Sequence, residues 1–172
     1  MAAQVKLALP APHPAQAKII ANSNRFNAVA MGEQAGKTTL GIELLLASPF
    51  GALNSRRPVA FFAATSQGLT EVRRRVLQVL DALIKRRVNA RRVELINGAV
   101  IDFYSLEETT DMAEQYGLIV VDDARMVPNL TDLWWDMLEP SLKAYKGQGW
   151  LLSGAYGKRN PFYKLWRLGQ SD

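Results

Sequence analysis

Gly32-Glu33-Gln34-Ala35-Gly36-Lys37-Thr38-Thr39 is the stretch on which the fold turns. The apolar run Ala28 to Met31 leads into it and the helix-compatible segment Thr38 to Ala47 follows, so a buried strand becomes a helix here. Such a turn suits a phosphate. Consecutive backbone N–H groups and the helix N-terminus offer positive partial charge, and Gly36 lets the backbone approach closely. Lys37 has the reach for β- and γ-phosphates, and Thr38 the hydroxyl for Mg2+. The spacing departs from the usual motif: from Gly32 only three residues precede Gly36-Lys37-Thr38, and Met31 holds the usual glycine position.

The chain as a whole narrows the choices. Its 172 residues are enough for one core and leave little for a second. No apolar run is long enough for a bilayer, and Lys6 followed by Pro10, Pro12 and Pro14 is not a signal-peptide pattern, so a soluble intracellular protein is expected. With no cysteine and only His13, disulfides, thiolate metal sites, a cysteine nucleophile and a histidine-based metal centre drop out. The net charge of +5 is concentrated between Glu71 and Arg92, where eight basic residues against two acidic give +6, so the remainder sums to −1.

Working outward, Pro14 is suited to open a helix over Ala15 to Ala21. Val59 to Ala64 reads as a second buried strand, and Thr65 and Ser66 as the cap of the next helix. In that helix Val72, Val76, Val79, Leu80, Leu83 and Ile84 recur at helical spacing, while Arg73, Arg74, Arg75, Lys85, Arg86 and Arg87 take other faces. These basic residues read either as a solvated outer face or as a surface for a nucleic-acid backbone or an acidic neighbouring subunit. Asn97-Gly98 marks a hairpin between Val93–Ile96 and Ala99–Tyr104. A polar stretch from Ser105 to Gln115 leads to Gly117–Asp123, an apolar strand ending in two carboxylates, which are costly there unless a cation or water meets them. Leu130 to Leu142 is expected to be helical, with Pro140 kinking it or ending it at Glu139; Gly149 to Ser153 is a strand, and Pro161 opens a last helix. Trp134 and Trp135 cannot both face one way, so one belongs to the core and one to a surface.

Strands alternating with helices predict a parallel α/β sheet, whose ligands bind outside the carboxyl ends of the strands. Both motifs fall at such ends. In P-loop ATPases the first acid of the second motif holds Mg2+ through water and the next orients the attacking water, which assigns Asp122 and Asp123.

At this point the chain resembles a family. His13-Pro14-Ala15-Gln16 and then Arg25 to Thr39 are similar to the opening of the ATPase domain of phage terminase large subunits, the motors that package DNA into procapsids. Ile96 to Phe103 is similar to that family's hairpin, Leu118 to Ala124 to its acidic motif, and Leu151 to Trp166 to its coupling motif and following helix. A loop one residue short is common in the family. The resemblance runs from about residue 13 to residue 168, in order.

It implies a RecA-like (ASCE) P-loop NTPase: a mostly parallel central sheet flanked by helices, with an inserted β-hairpin, residues 13–172 forming the domain and residues 1–12 an arm. It further implies ATP as substrate and Mg2+ as cofactor. Gly32, Glu33, Gln34, Ala35, Gly36, Lys37, Thr38 and Thr39 would line the nucleotide, with Gln16 as the family's adenine-reading glutamine. Asp122 and Thr38 would hold the metal, and Ser153 would sense the γ-phosphate. Arg125 and Arg159 are candidates for an arginine finger. The implied partners are double-stranded DNA, a homo-oligomeric ring, the portal and the small terminase subunit, with no membrane, in the host cytoplasm. The family's lid and nuclease domain have no counterpart before Asp172.

Three departures modify the expectation. Asp123 stands where the family carries glutamate, one methylene longer, and a displacement of about 1 Å can cost on the order of 100-fold, so slow hydrolysis is expected. Glu33 stands where an arginine usually faces the triphosphate, replacing attraction with repulsion. Ser153-Gly154-Ala155 is a weaker coupling motif than Thr-rich versions. Two rivals follow: a helicase-like ATPase, which shares both motifs, and a nucleotide- or DNA-binding module with little or no turnover.

Overall fold

In a computed structural model, residues 4–108, 112–155 and 157–170 are described. Thr109 to Asp111 of the polar link and Tyr156 of the coupling stretch lie outside them. The elements run α1 (Pro14–Ala21), β1 (Phe26–Met31), α2 (Lys37–Ala47), β2 (Val59–Ala63), α3 (Ser66–Leu80), β3 (Ile84–Arg87), β4 (Arg92–Leu95), β5 (Val100–Ser105), β6 (Leu118–Asp122), α4 (Leu130–Leu133), β7 (Gln148–Gly154) and α5 (Pro161–Leu168).

Seven strands form one sheet in the order β1-β7-β6-β2-β5-β4-β3. β1, β7, β6, β2 and β5 are parallel, and β4 and β3 are added antiparallel at one edge. Every residue of β2 and β6 is buried, as helices on both faces of a parallel sheet require. The two-residue period decides which layer each side chain joins. Phe61, Leu118, Val120 and Leu152 pack with the helices α2 and α3, whereas Phe62, Ile119, Val121 and Leu151 pack with Trp134, Leu138 and Phe162 on the other face. Gly41 lets α2 lie against the sheet: a Cβ there would come within 3.2–3.3 Å of Phe61, Val120 and Leu152.

Two expectations are corrected. The basic helix does not run on to Arg87. It ends at Leu80, a single 3-10 turn covers Asp81–Leu83, and Ile84–Arg87 is an edge strand. Pairing decides this: Ile84, Arg86 and Arg87 face Leu95, Glu94 and Val93 of β4, so backbone groups that a helix would satisfy internally are bonded across strands. The basic residues are therefore split between α3 and β3, and Lys85, Arg86 and Arg87 protect an open sheet edge from pairing with another chain. Leu130–Leu142 is likewise not one α-helix. After α4 the chain widens into a π turn over Trp134–Leu138, closed by the Glu139 N–H donating to the Trp134 carbonyl at 2.8 Å, and then tightens into a 3-10 turn that begins at Pro140. The wide turn buries Trp134 and leaves Trp135 52% exposed.

The added strands are fastened by a buried polar network. Asp102 of β5, fully buried, accepts from Arg92 Nε and Nη2 at 2.8 Å each and from the Tyr116 hydroxyl at 2.6 Å, and Tyr116 also bonds the Tyr104 hydroxyl at 2.7 Å. Arg92 further pairs with Glu114 at 3.1 Å. The network ties β4 and β5 to the segment that enters β6. Removing one member strands the others, so Asp102→Ala is expected to lower the unfolding free energy by about 3 kcal/mol, read in urea titrations as a lower midpoint with an unchanged slope.

Candidate functional site

Parallel register brings the ends of β1, β7, β6 and β2 together: Met31 lies beside Gly154, and Ala63 beside Asp122. The sequence motifs converge on this edge.

The loop of residues 32–36, expected from its sequence to bind phosphate, leaves β1 at Met31 and enters α2 at Lys37. Gly36 caps the helix in the left-handed region, at φ 75°, where a side chain would be strained, and Gln34 also has positive φ, at 56°. Lys37 Nζ is folded back on the Gly32 carbonyl at 3.4 Å, and Glu33 is exposed. Thr38 Oγ1 donates to Asp122 Oδ2 at 2.6 Å, joining motifs 84 residues apart. The other Asp122 oxygen accepts from the Asp123 N–H at 3.0 Å.

Asp122 is 5% exposed. Burial raises its pKa above the ordinary value; the Thr38 bond opposes this, and the neighbouring Asp123 charge adds to it. Asp123 is exposed and left-handed, at φ 50°, a conformation that Asp tolerates better than most side chains. A cavity of about 140 Å3 lies between Thr38, Asp122 and Asp123 on one side and Thr65, Gly68 and Glu71 of the α3 start on the other.

The remaining candidates divide. Ser153 is fully buried at the end of β7, and its Oγ accepts from the Arg125 backbone N–H at 3.1 Å, which links the β7 tip to the turn after the acids. Arg159 is exposed in the turn before α5. Gln16 is 4% exposed and lies against the loop itself, donating to the Ala35 and Gly36 carbonyls. Of the basic residues, Arg75 is half-buried and donates to Thr39 Oγ1 at 3.1 Å, so it faces the loop helix rather than solvent. Arg74 pairs with Glu71 at 2.8 Å, and Arg86 with Glu94 at 2.9 Å. Arg73, Arg74 and Arg87 line a groove of about 860 Å3 between α3 and β3.

Sequence reasoning missed Glu71 at the acid cavity. Its carboxyl titrates below the ordinary range because Arg74 hydrogen-bonds it. The available signal was its place three residues after Gly68 in a helix whose cap, Thr65, follows the tip of β2.

Asp122 and Thr38 suit Mg2+, a hard cation that takes one or two protein oxygens and keeps much of its water. Among the described residues no group of three or more His, Cys, Asp or Glu side chains could hold a metal ion by itself. Among them, too, no helix is long and apolar enough to cross a membrane.

The family described as "Terminase large subunit, T4likevirus-type, N-terminal" matches residues 29–140. The chain is similar in structure to the large terminase ATPase domain of Thermus phage P74-26, with a TM-score of 0.65 at 19% identity over 90% of this chain and 68% of that one. It is similar to the large terminase of bacteriophage HK97, with a TM-score of 0.70 at 14% identity over 90% of this chain and 35% of that one. The large terminase of a thermophilic bacteriophage, in complex with ADP, gives 0.62 at 13% identity over 91% of this chain and 43% of that one. No curated protein sequence matches the chain.

The burial of Asp122 has a measurable sign. Its native carboxyl holds a proton more tightly than the unfolded chain does, so protonation favours the fold below the ordinary value of 3.8, and that gain is lost as pH rises through the raised native value. Asp122→Asn, which removes the buried charge, is expected to raise the melting temperature of the nucleotide-free protein at neutral pH. The advantage should shrink as the pH is lowered towards 4, followed by thermal melts across pH.

Proposed function

Because the chain belongs to the terminase large subunit N-terminal family, we propose that residues 13–172 form the core of a Mg2+-dependent ATPase that drives double-stranded DNA into procapsids, with residues 1–12 as an arm. The observation that carries this reading is the 2.6 Å bond from Thr38 to Asp122. It places the helix-start hydroxyl and the strand-end carboxylate at one point, beside a loop of backbone N–H groups.

The residues then divide the work. Backbone N–H groups from Gly32 to Thr39 bind the phosphates, and Lys37 leaves the Gly32 carbonyl for the β- and γ-phosphates. Thr38 and Asp122 would hold Mg2+, which would neutralise charge developing on the phosphate oxygens. Asp123, exposed at the cavity, orients the attacking water. Its short side chain keeps hydrolysis slow. Ser153, bonded to the Arg125 backbone, relays the state of the γ-phosphate into the turn after the acids, and Arg125 and Arg159 are the candidate arginine fingers. Support for double-stranded DNA as the cargo comes from the family; Arg73, Arg74 and Arg87, which share their groove with Asp81 and Glu108, and Lys85 and Arg86 on the neighbouring edge strand are the candidate backbone contacts. The ring, the portal and the small terminase subunit rest on the family alone. The chain spans 35% of the HK97 terminase and 43% of the ADP-bound one, so the activity of a whole motor is also a proposal.

The second reading, a module that binds nucleotide or DNA with little turnover, is favoured by one observation: Glu33 is exposed at the loop, where it adds negative charge. Phosphate release from ATP separates the two. The purified domain is expected to release phosphate slowly with Mg2+, and Lys37→Ala to remove at least nine-tenths of that release, about one power of ten or more. Release that is absent, or insensitive to Lys37→Ala, favours the module.

A further inference from the structure

The side-chain amide of Gln16 is spent on the phosphate loop. Nε2 donates to the Ala35 carbonyl at 3.3 Å and to the Gly36 carbonyl at 3.1 Å, and Oε1 accepts from the His13 N–H at 3.3 Å. An amide nitrogen carries two hydrogens, and both are used. Reading the edge of adenine takes one amide donor for a ring nitrogen and the amide oxygen for the exocyclic amine. Here both amide hydrogens are on the loop, a role separate from any reading of the base.

Its seat is built for the loop. Gln16 is 4% exposed, and its nitrogen lies so close to the Gly36 Cα that a Cβ on Gly36 would come within 2.8 Å of it. His13 caps α1, its Nδ1 accepting from the Gln16 N–H at 3.5 Å, while its Nε2 meets the Ala35 carbonyl at 3.4 Å; the neutral ring with its proton on Nε2 satisfies both. Pro14, at the first helical position, fixes the direction in which α1 starts. The start of α1 and the phosphate loop are thus bonded at two successive carbonyls, Ala35 and Gly36. The second of these also accepts the first helical bond of α2, from the Leu40 N–H at 2.8 Å.

We propose that Gln16 is a positioning residue that braces the phosphate loop. The proposal rests on the nucleotide-binding reading above and deepens it: the loop that Gln16 braces grips the triphosphate, so the brace serves any ligand held by its phosphates. Bracing acts before binding, since a loop already held with its N–H groups aimed at phosphate loses less freedom when the ligand arrives.

The test titrates ATP, GTP and tripolyphosphate, each with Mg2+, into the wild type, Gln16→Ala and Gln16→Glu. It is paired with amide hydrogen exchange over residues 32–38 in the nucleotide-free proteins. Two lost hydrogen bonds predict a loss of affinity on the order of tenfold that extends to GTP and to tripolyphosphate, which has no base. Exchange across 32–38 should quicken while β6 and β7 keep their protection. Gln16→Glu keeps the volume and the acceptor for His13 but turns a carboxylate on two carbonyl oxygens, so its losses should equal or exceed those of Gln16→Ala. Poorer folding lowers the number of sites titrated, not the affinity of those that remain. A loss confined to ATP, with GTP and tripolyphosphate unchanged, would make Gln16 a base reader and overturn the proposal, as would unaltered exchange over 32–38. If the wild type binds none of the three ligands, the nucleotide reading fails, and the exchange comparison still decides the brace.

Discussion

A carboxylate is buried at the carboxyl end of a parallel sheet, and the site is arranged around that cost. Asp122 is 5% exposed, next to a second acid, and its partners are one hydroxyl and one backbone N–H. Two hydrogen bonds do not replace the hydration of an ionised group, which is why its proton is held more tightly than usual. A divalent cation at the same point would reverse that balance. The buried charge is therefore a local instability, and on the proposed reading it would become affinity for a metal-bound phosphate, which Thr38, at the start of α2 and bonded to Asp122, would also meet.

The parts of this arrangement that depend on local chemistry were legible in the sequence. Gly36 followed by Lys37 and Thr38 between an apolar run and a helix, and five apolar residues leading into Asp122, fix strand ends without reference to the rest of the chain. The parallel order followed from the alternation of strands and helices, and the turn at Asn97-Gly98 from its positive-φ requirement, met by Gly98 at 90°. The failures were set by partners distant in sequence. Ile84 continues the helical spacing of Val76 and Leu80, and only pairing with Leu95 makes it a strand residue. The π turn at Trp134 depends on fitting one indole over Gly149, where a Cβ would come within 2.8 Å of the ring. Glu71 joins the acid cavity because β2 and β6 are neighbours in register, a fact absent from either segment alone.

Asp123 shows both kinds of information at one residue. The sequence identifies it as a shortened version of the expected glutamate. The structure adds that its backbone is left-handed, a conformation Asp tolerates better than most side chains, so the residue that the proposed mechanism would have orient water also suits the turn it occupies. The basic residues changed in the opposite sense. What read as one charged helix is divided among an edge strand, a groove and, through Arg75 and Thr39, the helix α2, so only part of that charge is displayed at the surface.

The central claim is that the loop and the acidic strand form one Mg2+-nucleotide site. A double-mutant cycle on Mg2+-ATP affinity with Thr38→Val, Asp122→Asn and the double variant tests it most directly. The expected result is that either change removes most of the Mg2+-dependent affinity and the second adds little, a coupling of about 1 kcal/mol or more. Losses that simply add, or affinity indifferent to Mg2+ in the wild type, would contradict it.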